Sequence, residues 1–172
     1  MCGRFTQRLS SSEFASIFSA RDLVDAAGER FNVAPTQSVV AVVRRDEERV
    51  LERFRWGLVP HWAKNPASGG RMINARAETV ASTPAFRHSF RAKRCLVPAD
   101  GFYEWQRSPD GRRPFYITRE DGQPLAFAGL WSTWHDPATD LALLTCSIVT
   151  TTPSELMAPL HNRMPVILPD DA

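Results

Sequence analysis

A chain of 172 residues with 43% hydrophobic content and a formal net charge of +2 suits a single globular domain with a modest core. Its longest apolar stretch, residues 141–149, is broken by Thr145 and Ser147 and is far too short for a bilayer, so no membrane role is expected. Three cysteines, Cys2, Cys95 and Cys146, make an odd count without metal-ligand spacing. With no secretory apolar region near the start, they point to a reducing cytosol rather than a disulfide framework.

Residues 2–6 read as a short strand. Residues 10–20 read as a helix: Ser10 and Glu13 have capping-box spacing, and Phe14, Ile17 and Phe18 share one apolar face. Two β-rich runs, 38–45 and 49–56, surround Asp46-Glu47-Glu48 as a hairpin. Residues 64–76 carry Asn-Pro and Gly-Gly and are expected in a loop. A short helix is expected over 83–91 with Pro84 in its first turn, placing Phe86 and Phe90 on one core-facing side. Strands follow near 94–97, 101–106, 114–119, 125–131 and 141–150, with turns at Asp110-Gly111 and Asp121-Gly122. Thr152 to Glu155 has capping-box spacing for a short helix ending before His161, and 164–168 is a last strand. The pattern predicts an α+β fold: a β-rich single domain, 1–172, with a curved or partly closed mixed sheet and short inserted helices.

Charge is unevenly distributed. Residues 64–94 hold seven basic residues against Glu78 alone, a local +6, while the remainder carries −4. Such a stretch suits a polyanion-binding face, and equally a solvated helix surface.

Cys2 directly follows Met1, and removal of Met1 would give a terminal cysteine with amine and thiol on adjacent carbons. That pair can attack an amide or ester with its own amine as base, or condense with an aldehyde to a thiazolidine. Three further residues are candidates for chemistry. Asn74 lies among polar residues after the glycine loop. Glu104 is a carboxylate in an aromatic and apolar strand, a setting that suits proton transfer. His161 follows the last helix candidate and carries the side chain suited to acid/base work near neutrality. Taken singly, each also fits a structural role: a turn cap, an arginine partner, a surface histidine. His61, His88, His135 and His161 lack metal-ligand spacing, so no metal or other cofactor is expected.

Together, Met1-Cys2-Gly3-Arg4-Phe5, Asn74-Ala75-Arg76-Ala77-Glu78-Thr79, Pro98-Ala99-Asp100-Gly101-Phe102-Tyr103-Glu104-Trp105 and His161-Asn162-Arg163-Met164-Pro165 resemble the SRAP family of abasic-site-processing proteins. Phe31 to Pro35 and Trp56 to Pro60 add to the match. The resemblance implies single-stranded DNA containing abasic sites as partner, and a covalent thiazolidine cross-link from Cys2 to the ring-opened sugar. It implies that Asn74 orients the amine or sugar, that Glu104 is the acid/base group and that His161 assists sugar opening. It nominates Arg4, Asn32, Arg76, Arg87 and Arg163 as strand contacts and Trp62 and Trp105 as stacking platforms, Trp105 also fitting a core position. A monomer is the default for a strand-binding module of this size, the expected location is a bacterial-type cytoplasm with nucleoid association on damaged DNA, and the resemblance places the end of the family domain beyond residue 172. Two other classes stand beside this reading: an N-terminal-cysteine autoprocessing peptidase or amidohydrolase, and a non-catalytic single-strand binding module.

Overall fold

In the computed structural model, which describes residues 2–24, 27–109 and 111–170, Arg4–Gln7 forms β1 and Ser11–Ile17 forms helix α1. The Ser10 hydroxyl accepts the Glu13 N–H, and the Glu13 carboxylate takes the Ser10 N–H in return, so the expected capping box is present. Strands β2 (Arg21–Asp22) and β3 (Arg30–Val33) lead into the hairpin of β4 (Ser38–Arg45) and β5 (Glu48–Trp56). A 3-10 turn over Pro66–Arg71 precedes β6 (Asn74–Arg76), and helix α2 covers Arg87–Ala92. Next come β7 (Arg94–Ala99), β8 (Gly101–Ser108), β9 (Gly111–Ile117), β10 (Leu125–His135) and β11 (Ala142–Thr151). Two short strands end the described chain, β12 (Met164–Pro165) and β13 (Ile167–Leu168).

Strands β4, β5, β11, β10 and β7 close a ring, with β5 meeting β11 in parallel through Arg55 opposite Thr145 and Trp56 opposite Cys146. The other four contacts of the ring are antiparallel. The predicted curved, mixed sheet is therefore a closed five-stranded barrel. Strands β2, β6, β12 and β13 are appended to its members.

Strand alternation explains the packing. On β4, Val39, Ala41 and Val43 point into the barrel with Val50, Phe54, Trp56, Val97, Phe127 and Ile148, while Val40 and Val42 pack outward under Phe14 of α1. Cys95 and Cys146 are buried thiols in this interior, as their apolar neighbours predict.

A second sheet, in the order β3-β1-β8-β9, lies against the barrel. Phe5 of β1 meets Trp56 edge-on at 4.9 Å and Phe127 at 6.1 Å, and Phe102 of β8 meets Phe127 at 5.8 Å. Gln7 fastens the two sheets: its buried amide accepts the Val40 N–H and donates to the carbonyls of Val40 and Pro98. Three backbone groups of the barrel are thereby satisfied by one side chain of the other sheet.

Several local expectations change. The helix expected from 83 begins only at Arg87, preceded by turns accepting at Thr79 and Thr83. Phe86 is buried before it, but Phe90 is 40% exposed and is not a core residue. Residues 155–160 form turns rather than a helix. There the Met157 N–H meets the hydroxyl and carbonyl of Ser154, so Ser154 and not Thr152 is the capping residue. The expected loop over 64–76 contains β6, and the last strand is split at Val166, whose N–H reaches back to Val149. The turn expected at Asp110-Gly111 involves Asp110, which lies outside the described residues, although Ser108 and Gly111 pair across it.

Candidate active site

Cys2, Asn74 and Glu104 meet where the second sheet joins the barrel. Asn74 is placed by β6, which runs parallel to β11 with Asn74 opposite Ile148. The preceding carbonyl, of Ile73, accepts from the Ile148 N–H and from the Trp56 indole, so β6 is held from two sides. Ahead of it, Gly57 and Gly69 cross with no room for a side chain. A Cβ on Gly57 would lie 2.5 Å from the Gly69 carbonyl oxygen, and Gly57 has φ +126°.

From this position Asn74 Nδ2 donates to the Cys2 carbonyl at 2.9 Å. Its Oδ1 is buried and accepts no hydrogen bond among the described residues. Cys2 is fully buried, beside Phe5, Val33 and Phe102. Burial pushes its thiol far above the ordinary range, and the charge of nearby Glu104 pushes in the same direction. The sulfur is therefore a protonated thiol at neutral pH, not a standing thiolate.

Glu104 occupies an inward position of β8 and is 3% exposed. It lines a cleft of about 170 Å³ with Trp105, Arg107, Arg112 and His161. His161 closes the turn that begins at Ser154, its N–H donating to the Met157 carbonyl. Nδ1 of the ring accepts the Arg163 N–H at 3.0 Å, which fixes the orientation of the imidazole in the cleft. A carboxylate and an imidazole thus share one cleft, with the Cys2 thiol in reach of the carboxylate's field.

The nominated contact residues divide into separate groups. Arg4 donates to Asn32 at 2.9 Å on the edge formed by β1 and β3. Trp105 is half-buried beside His161, while Trp62 is 58% exposed. Arg76 and Arg87 are exposed. Arg163 stands apart from these. Its guanidinium binds both oxygens of Glu78, at 2.7 and 3.0 Å, and the Thr150 carbonyl at 2.7 Å, so it braces the segment carrying His161. This pairing pulls the Glu78 carboxyl down to about 2. Within the +6 stretch, Lys93 lies over the Trp131 ring opposite Arg45, and its other basic residues are exposed. Thr150, Arg107 and Arg112 were not nominated from the sequence; strand alternation from Trp105, which was nominated, would have found Arg107 on the same face.

Among the described residues, no group of three or more His, Cys, Asp or Glu side chains gathers to hold a metal. No helix among them is long and apolar enough to cross a membrane.

Comparison with known proteins bears on this arrangement. The family model described as SOS response associated peptidase (SRAP) matches residues 1–172. The chain belongs to the SRAP family. It is 43% identical over 177 residues to the abasic site processing protein YoqW of Bacillus subtilis, covering 99% of this chain and 77% of that one. It is 33% identical to the abasic site processing protein YedK of Escherichia coli, covering 100% and 77%. A solved protein from Bacteroides thetaiotaomicron superposes with a TM-score of 0.91 at 27% identity, covering 99% of this chain and 78% of that one. The SRAP fold thus extends along the whole described chain, including the segments that carry Cys2, Asn74, Glu104 and His161.

Proposed function

We propose that this SRAP protein processes abasic sites, capturing them in single-stranded DNA as a thiazolidine cross-link through Cys2. The observation that carries this reading is the convergence of a buried Cys2 thiol, the Asn74 amide on the Cys2 carbonyl, and Glu104 beside the sulfur. The names of relatives such as YoqW and YedK support the substrate class.

The chemistry follows from those groups. Removal of Met1 frees the Cys2 α-amine, which adds to the sugar aldehyde, and loss of water gives an imine. The thiol then adds across the C=N bond: the C–S bond forms, and the S–H proton passes to nitrogen by way of Glu104. A protonated thiol suits this order, because the amine must react before the sulfur does. The free Oδ1 of Asn74 is an acceptor for the amine N–H during this step. His161 exchanges protons with the closed sugar, whose C–O ring bond must break to release the aldehyde.

The test is a denaturing gel of Met1-processed protein with an oligonucleotide bearing one abasic site, beside undamaged, double-stranded and Cys2→Ala controls. A band that survives heat and detergent, specific to the abasic single strand and absent in Cys2→Ala, supports the reading. No band from protein whose mass confirms Cys2 at the N-terminus would sink it.

A further inference from the structure

Arg107 of β8 and Arg112 of β9 stand directly opposite each other across a hairpin. Like charges in that position repel and cost stability. Both are exposed, and neither makes an ion pair or hydrogen bond from its guanidinium among the described residues. Both also line the cleft that holds Glu104 and His161.

The same sheet face continues away from the cleft as rings. Alternation on β8 puts Trp105 and Tyr103 on the side of Arg107, and Tyr116 of β9 lies opposite Tyr103. Ring centroids are 6.4 Å apart between Trp105 and Tyr103 and 4.9 Å between Tyr103 and Tyr116. Both tyrosines are anchored at the hydroxyl, Tyr103 donating to the Phe31 carbonyl and Tyr116 sharing a hydrogen bond with Thr6. Tyr116 is still 40% exposed. Arg113, one residue from Arg112, turns the other way and packs over Phe115.

We infer that Arg107 and Arg112 clamp a backbone phosphate at the mouth of the cleft, and that Trp105, Tyr103 and Tyr116 form a stacking ladder for the bases that follow. This rests on the single-stranded DNA reading and extends it by giving the strand a path outward from Glu104. A phosphate between the two guanidiniums removes the repulsion that the hairpin otherwise carries. Fixed rings beside it suit bases of any identity, since every base offers a π-face.

The experiment measures non-covalent affinity for an undamaged, fluorescent single-stranded oligonucleotide over a salt series. The double variant Arg107→Ala/Arg112→Ala lowers the slope of log affinity against log salt by about 0.7, the share of the one phosphate it no longer holds. Lysine at both positions keeps the slope, and Arg113→Ala leaves it at the wild-type value. Tyr116→Leu weakens binding about fivefold or more at every salt concentration with the slope unchanged. Tight binding by wild type with no slope change in the double alanine variant overturns the clamp and leaves the single-strand reading standing. Absence of binding by wild type overturns both.

Discussion

Asn74 holds Cys2 by its backbone, not its side chain: Nδ2 donates to the Cys2 carbonyl at 2.9 Å. Residue 2 is therefore positioned from β6 whatever its side chain is, and the thiol is left out of the bond. Orientation and reactivity are assigned to different residues, and they can be separated by substitution.

Replacing Asn74 with alanine removes the donor and keeps the thiol. We expect the rate of adduct formation to fall about tenfold, corresponding to about 1.4 kcal/mol, in the range of one hydrogen bond. Affinity for undamaged single-stranded DNA should stay within twofold. A gel time course at saturating DNA, beside an equilibrium binding curve, measures the two. Equal losses in both would assign Asn74 to binding rather than to orientation.

Cys2→Ser keeps the α-amine and loses the sulfur. It should form an imine that is seen only after reduction with borohydride, while the wild-type adduct needs no reductant. A serine adduct stable without reduction would exclude ring closure through sulfur as the source of permanence.

Arg163 is the reason the Glu78 carboxyl sits at about 2 rather than at its ordinary 4.5. Since the folded value is the lower one, this pair supports the fold above 4.5, and its contribution is lost as pH falls from 4.5 toward 2. In Arg163→Met, the Glu78 carboxyl carbon followed by NMR should titrate near the ordinary value. Because the same guanidinium binds the Thr150 carbonyl, adduct formation should also slow through a looser His161 segment. A Glu78 titration that does not move would break the assignment.

The interior thiols set an alkaline limit. Burial pushes Cys146 from its ordinary 9.0 up to about 12 and pushes Cys95 well above 9.0. Below 9 both folded and unfolded chains keep the proton. Above 9 the unfolded chain loses it and the folded chain does not, so stability falls as pH rises through the window from 9 to about 12. Cys146 contributes a slope of about 1.4 kcal/mol per pH unit there, and Cys95 acts in the same direction. Urea unfolding at several pH values should show Cys146→Ala losing one such share; an unchanged slope would exclude Cys146.

Local chemistry was legible in the sequence where one short segment carries the whole interaction. Ser10 with Glu13 and the β4–β5 hairpin are of this kind, and both formed as expected. The short motifs around Cys2, Asn74, Glu104 and His161 were readable as a family resemblance, and the fold brings the first three of these residues together. Barrel closure was not readable, because Arg55 and Thr145 are far apart in sequence and nothing local marks a parallel pair of two residues. Arg163 looked like a strand-facing cation because its partner, Glu78, is 85 positions away. Phe90 shared a predicted face with Phe86, but α2 starts late and ends at the surface, leaving that ring half covered.

The parallel seam between Trp56 and Cys146 has a consequence for how damage to this protein would appear. β6, which carries Asn74, rests on β11 just beyond that seam, and the Trp56 indole holds the carbonyl next to Asn74. Opening the seam removes the floor under Asn74 in the same event. A variant weakened there would therefore show a smaller fraction of competent molecules, each reacting at the full rate, rather than a uniformly slower population.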